Sequence, residues 1–388
     1  MSSKPVPHDI RDELSEPTSS MSLRLKVTTS CIVALVAGFA TTVFAPELSS
    51  SLIGDWVIGP LEWLWLLSWV VFLYIGWPVL FRPARTRRFL RRFRRNRLAT
   101  VAGLFLLSMG LLGTVGPLVL SPPAPSFTYG DLPPVGFGVD AQVADGCKNL
   151  VGDTCYGTLA HPLGTTEGGE DILRILVYGT RLIVELAMIA TAILVPLATV
   201  LGTTAAVFGT WTDRAVTGII DIQRSIPALF VFLLIRFLTG DASPFHLVAV
   251  FGIANAGSVA SVVRSRALDE VGKPYIRAAR SAGASRSRLL RDHVVPNVAH
   301  VALTAAVLQV PTLIVLEATL SHLQIGGVPI MLHRPTLVSW GKLIGRYTGT
   351  LSAVWWPVLF PVLGLVTTVF SLNVAGEGVR QALGPEGR

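Results

Sequence analysis

The chain has 388 residues, of which 51% are hydrophobic and only 14% charged, and it carries a net charge of +8. A soluble protein of this length needs far less apolar surface to fill a core, so the composition points to a lipid bilayer as the solvent. The positive charge comes from arginines near the ends of apolar runs, which is the pattern of cytoplasmic loops between membrane spans and not that of a nucleic-acid-binding stripe.

A membrane-crossing helix needs about 20 apolar residues at about 1.5 Å rise each. Eight runs are predicted to meet that length: Val27 to Ala45, Leu61 to Phe81, Leu98 to Leu120, Leu182 to Phe208, Val216 to Leu238, His246 to Val263, Val298 to Leu320 and Val354 to Leu372. The expected fold is therefore all-α and polytopic. Residues 1–22 read as a cytoplasmic leader holding Asp9, Asp12, Glu13 and Glu16. Arg24, Lys26 and the stretch Val43-Phe44-Ala45 imitate a signal peptide, but Pro46 at the next position and the acidic leader favour an uncleaved anchor. Residues 23–97 then carry two spans and the stretch Arg82 to Arg97, nine arginines in sixteen residues. Such a run stays in the cytoplasm, and an even number of spans leaves both termini there. It reads as a topology determinant that also touches anionic lipid headgroups.

The loop from Ser121 to Asp171, within a segment bounded at 121–173, is expected outside. It holds Asp131, Asp140, Asp145, Asp153, Glu167, Glu170 and Asp171 against Lys148 alone. Three cysteines are too few for a disulfide scaffold, and no Cys/His spacing suggests a metal site. Cys31 lies in an apolar run. Cys147 and Cys155, with seven residues between them on the oxidising side, are expected to pair, the alternative being two free thiols in a mobile loop. The loop after the seventh span, also placed outside, holds Arg334, Lys342 and Arg346 and runs against the charge bias.

Ionisable groups at membrane depth are costly and face a bundle interior or a cavity. Glu317 is the first such candidate, with His322 less than two turns on; each lines a translocation path or makes a packing contact with a neighbouring helix. Asp221 and Arg224 are expected to pair with each other or with the loop that follows the sixth span, and Glu185 with Arg181 one turn before it.

That loop, 264–297, runs RSRALDEVGKPYIRAARSAGASRSRLLRDHVVPN, too polar to span and too patterned for a plain linker. Pro274 opens a short helix to Ser281, Gly283 permits the turn that ends it, Ser285 caps a second helix through Leu290, and Pro296 opens the next span. On spacing alone this is also what a solvated juxtamembrane loop looks like.

Tyr275-Ile276-Arg277-Ala278-Ala279-Arg280-Ser281-Ala282-Gly283, followed by His293-Val294-Val295-Pro296, resembles the EAA loop of binding-protein-dependent ABC importer permeases. Arg277 stands where the motif has its glutamate, as in the peptide-transporter branch. Gly164-Thr165-Thr166-Glu167-Gly168-Gly169-Glu170-Asp171-Ile172-Leu173-Arg174 through Tyr178-Gly179-Thr180-Arg181 is similar to the GTDxxGRDxxSRxxxGxR pattern of the second permease subunit of oligopeptide and dipeptide importers. Thr166 replaces Asp, Glu170 replaces Arg, and Arg174-Ile175 replaces Ser-Arg. Trp355-Trp356-Pro357 to Asn373, with Gly376, Gly378, Arg380 and Pro385, resembles that family's last span and tail. The likeness covers Arg95 to Arg388; the two preceding spans fall outside the usual six-span pattern.

The resemblance implies the type I ABC importer permease fold over 98–388, and a chain that moves solute without an ATPase site. No GxxxxGK[ST] loop occurs, so ATP and magnesium belong to partner subunits and the chain needs no cofactor. Implied partners are a second permease subunit, two ATP-binding subunits and an extracytoplasmic peptide-binding protein. Arg277, Ala278, Ala279, Arg280, Gly283, His293 and Pro296 are the implied coupling residues. A nickel or sugar importer is the nearest alternative. A membrane enzyme lacks converging catalytic groups, and a structural membrane protein leaves the EAA-like loop unexplained.

Overall fold

A computed structural model describes residues 18–44, 59–80, 83–126, 128–240, 243–325 and 338–383. The chain forms two compact units, Met1–Phe81 and Arg82–Arg388. The arginine-rich segment thus belongs to the second unit, and the boundary expected at 97 lies before it.

The first unit holds helices α1 (Thr18–Phe44) and α2 (Pro60–Leu80). They are fastened by Trp63, whose indole Nε1 donates to Thr42 Oγ1 at 2.7 Å. Helix α1 begins inside the segment expected as a leader; the leader's acids and Pro46 lie outside the described residues.

The second unit contains α3 (Pro83–Phe93), α4 (Arg97–Val119), α5 (Ile172–Phe208), α6 (Thr210–Ser225), α7 (Ala228–Thr239), α8 (Pro244–Val271) and α9 (Pro274–Ser281). It continues with α10 (Arg286–Leu289), a π-turn (Leu290–Val294), α11 (Val295–Val307), α12 (Val310–His322), α13 (Trp340–Tyr347) and α14 (Trp356–Leu383). Among the described residues, α4, α5, α8, the run 286–322 and α14 are long and apolar enough to cross a membrane. The pair α6–α7 makes a sixth if it counts as one span, while α1 and α2 carry shorter apolar stretches, Ser30–Thr42 and Pro60–Tyr74. The described part of each of the eight expected runs lies mostly on helix.

Several spans differ in extent or shape from the sequence reading. The fourth span starts at Ile172, where Asp171 caps the helix by accepting from Arg174 N at 3.2 Å. At about 1.5 Å per residue, α5 is longer than a bilayer core and projects beyond it. The fifth span is bent by 71°, because Pro227 forces Ile226 into an extended conformation and interrupts the helix. The helix that carries the eighth span, α14, runs on through the tail to Leu383.

The main core joins α5, α6, α8 and α11 through Leu194, Ala198, Ile220, Val259, Ala260 and Val298. Helices α5 and α8 come close at Gly202, where a Cβ would stand 2.7 Å from the Ala260 carbonyl oxygen. Only glycine permits that separation.

Between α4 and α5, residues 121–171 build a small lobe around a three-stranded antiparallel sheet, β1 (Gly138–Asp140), β3 (Thr154–Tyr156) and β2 (Leu150–Val151), in that spatial order. Thr165 organises it: its hydroxyl donates to the Tyr129 carbonyl at 2.6 Å and accepts from Leu132 N at 2.9 Å. Its own carbonyl accepts from the Trp356 indole at 2.8 Å, which pins the lobe to the start of α14. At the two positions where the permease pattern has Asp and Arg, Thr166 donates to Glu170 Oε2 at 3.1 Å. A neutral-to-charged hydrogen bond thus stands where that pattern would place an ion pair. Asp131 sits at φ +50, and burial, then the charges of Glu167 and Asp145, push its carboxyl up to about 6.

Cys147 and Cys155 are disulfide-bonded, with Cα atoms 5.9 Å apart, and Cys155 is fully buried. Closing a loop this short removes about 2–3 kcal/mol of chain entropy from the unfolded lobe. Mass spectrometry of protein alkylated without reduction should return the linked peptides and no label on either cysteine. Full alkylation of both would rule the bond out.

Candidate functional site

The segment between α8 and α11 folds as one helix, one turn and a helical run that continues into the next span. Pro274 starts α9, where its fixed φ and missing N–H cost nothing. The helix ends in a Schellman arrangement: Ala284 N donates to the Ala279 carbonyl at 3.0 Å, and Gly283 adopts φ +86. A Cβ at Gly283 would meet nothing within 4 Å, so glycine is required there by backbone conformation and not by crowding. Ser285 then caps α10, accepting from Arg288 N at 3.3 Å.

Beyond Leu289 the sequence reading needs correction. A separate second helix and a span opening at Pro296 are expected, but 286–322 is one helical run crossing the π-turn. In that turn Val295 N reaches the Leu290 carbonyl, five residues back, and the change of register absorbs the donor that Pro296 lacks. Helices α10 and α11 are thus one continuous element.

Ile276, Leu289 and Val294 are fully buried and seat the segment on the bundle. Arg277, Ala278, Arg280, Gly283 and Pro296 are exposed, while Ala279 and His293 are half-buried. The exposed face is basic and small, the buried one apolar.

A polar cluster that sequence reasoning missed holds α9 in place. Glu270, 2% exposed at the end of α8, accepts from Lys273 Nζ at 2.6 Å and from the Tyr275 hydroxyl. Asn297 Nδ2 donates to Tyr275 Oη at 3.3 Å and to the His293 carbonyl at 2.7 Å. The Tyr275 and His293 rings meet edge to face at 6.1 Å. Burial, then the hydrogen bond to Glu270, push the Tyr275 phenol up to about 12, so it remains a donor at any physiological pH. The available signal was Glu270 three residues before Lys273, but the neighbouring exposed Asp269 offers the same charge one position earlier.

Two further fasteners tie this end together. Arg264 of α8 grips Asp213 of α6 with two hydrogen bonds, at 2.5 and 2.7 Å. Arg286 Nη1 donates to the Phe208 carbonyl at 2.7 Å, capping the end of α5. Asp221 and Arg224, expected to pair, are both exposed, and among the described residues no salt bridge joins them to each other or to the 264–297 segment. The Arg181–Glu185 pair is present at 2.7 Å.

Glu317 is 4% exposed and accepts from the Ser321 hydroxyl at 2.8 Å, with Ser339 as a second hydroxyl partner. Ser339 also caps α13, so the carboxylate joins α12 to α13. His322 ends α12, with its Nδ1 buried and without a hydrogen-bond partner among the described residues. Arg334 lies outside the described residues, whereas Lys342 and Arg346 are on α13.

Apolar helices packed through small residues, with a fastened helix-turn at the basic end of the bundle, are the architecture of a polytopic membrane protein. Residues 198–386 match the family model of the binding-protein-dependent transport system inner membrane component. Residues 85–134 match the N-terminal TM domain of oligopeptide transport permease C. The oligopeptide transport system permease protein OppC of Mycobacterium bovis is 30% identical over 302 residues, covering 77% of this chain and 94% of that protein. OppC of Haemophilus influenzae is 28% identical, covering 77% of this chain and 88% of that protein. The dipeptide transport system permease protein DppC of Alkalihalophilus pseudofirmus is 26% identical, covering 77% and 90%. The chain belongs to the family of binding-protein-dependent inner membrane permeases.

Proposed function

We propose that this chain forms half of the translocation path of an ATP-driven importer of oligopeptides or dipeptides, and that 264–297 is the element on which partner ATPase subunits act. The observation that carries the reading is α9 itself: a short basic helix, exposed on one face, held by Glu270 and Tyr275, and joined by the tight turn at Gly283 to the helical run that starts at α10 and crosses the membrane. A rigid element with two positions, attached directly to a span, is what moving a pore from outside requires. The peptide cargo rests on the names of the relatives. ATP and magnesium belong to two ATP-binding subunits, and this chain supplies no catalytic group and no cofactor. A second permease subunit completes the path, and a peptide-binding protein delivers cargo outside the cell membrane, with both termini of this chain in the cytoplasm. Glu317 and His322 lie at the α12–α13 contact, beside the path in this reading.

The test is purification of the chain with its neighbours, followed by uptake in proteoliposomes. A complex with a second permease and two ATPases that accumulates peptide only with ATP and the binding protein is expected. ATP-independent uptake, or labelling of residues near Arg91 and near Ala282 from opposite sides of the membrane, would overturn the assignment.

A further inference from the structure

Arg97 heads a stripe of exposed apolar side chains that runs the length of α4. Val101, Leu104, Leu111 and Leu118 are 65%, 62%, 58% and 84% exposed and follow one another at spacings of three, seven and seven, so they share one face. Helix α4 is 23 residues long, about 35 Å at its rise per residue, which matches a hydrocarbon core. A face this apolar and this long is complementary to acyl chains. At its head the character changes within one turn. Arg91, Arg94, Arg95 and Arg97 are all exposed, and among the described residues none of the four meets a carboxylate in a salt bridge.

The arginines are held there by packing. The Phe93 ring, stacked on Phe89 at 5.9 Å, sits where Cβ atoms at Gly103 of α4 and Gly378 of α14 would lie 3.1 and 3.0 Å from it. Asn96 caps α4 by accepting from Ala99 N at 3.1 Å. The turn 94–96 is thereby fixed against the end of the bundle, with its guanidiniums outward at the level where the apolar stripe stops. Guanidinium forks match phosphate oxygens, and a cluster of this size beside a span attracts anionic headgroups.

We infer that this corner of the molecule is a binding site for an anionic phospholipid, its phosphate held by Arg94, Arg95 and Arg97 and its acyl chains lying along Val101 and Leu104. An acidic protein partner fits less well, because the charged cluster and the apolar stripe form one continuous face and a soluble partner covers only the first. The site is separate from the 264–297 segment.

Native mass spectrometry of the whole complex, loaded from mixed phosphatidylglycerol and phosphatidylcholine, reads the occupancy. Wild type should retain phosphatidylglycerol in preference to phosphatidylcholine, and Arg94→Gln with Arg97→Gln should lower that retention about tenfold. Arg94→Lys with Arg97→Lys, which keeps the charge and guards against misfolding or inverted insertion, should retain most of it. Lys148→Gln, in the lobe beyond the other end of α4, should change nothing. Equal retention of both lipids by wild type, undiminished retention by the Gln variant, or cross-links from position 97 to a protein subunit would each overturn the inference.

Discussion

Gly283→Val is expected to abolish uptake while leaving the complex assembled. At φ +86 an L-residue pays about 1–2 kcal/mol for the left-handed conformation, and a β-branched side chain pays more. With open space around the position, the whole effect is backbone strain at the hinge between α9 and α10, so the helix pair reorients without any clash in the bundle. Solute capture by the binding protein and membrane insertion depend on other parts of the molecule and should be unchanged. In reconstituted complexes, uptake should fall at least tenfold while ATP hydrolysis continues, uncoupled. Gly283→Asn provides the control, since asparagine tolerates this region and should keep most of the transport. Wild-type uptake by an assembled Gly283→Val complex would remove the coupling role and return the segment to a solvated loop.

The limits of α9 were legible because its signals are local. A proline at the start, a left-handed glycine at the end and a serine three residues before the amide it caps are read from a dozen consecutive residues. The Arg181–Glu185 pair was legible for the same reason, being one helical turn apart. What escaped was set by contacts distant in sequence. Asp213 and Arg264 are 51 residues apart, and Arg286 reaches the Phe208 carbonyl across 78; nothing in either neighbourhood marks the partner. The bend at Pro227 escaped because counting apolar residues across 216–238 passes over a proline that a helix does not. The continuity of α10 with α11 was hidden because Pro296 looks like a helix start, and only the wide turn before it lets the helix run on. Such a turn has no composition of its own.

Removing the Glu270 carboxylate is expected to give the second large effect, through the anchor of α9 and not through its exposed face. Glu270 is buried and takes hydrogen bonds from an ammonium and a phenol. Hydrogen bonds to charged groups contribute about 1.5–3 kcal/mol each, and a partner left unsatisfied costs more than the bond contributed. Glu270→Ala strips Lys273 and Tyr275 of their acceptor at once, so α9 stays folded on Ile276 but is no longer fixed to the end of α8. Uptake should fall at least tenfold at normal copurification of the ATPase subunits. Glu270→Gln keeps one oxygen for the Tyr275 hydroxyl and loses the charge that holds Lys273, and should fall between Ala and wild type. Tyr275→Phe, which leaves Lys273 paired, should cost less than Glu270→Ala and should not worsen it when the two are combined, because both break the same connection. The quantity to measure is peptide accumulated per ATP hydrolysed, beside the yield of intact complex. A uniform loss of complex with an unchanged ratio would make Glu270 a folding residue only, whereas a fallen ratio in an intact complex identifies it as the residue that positions the coupling helix.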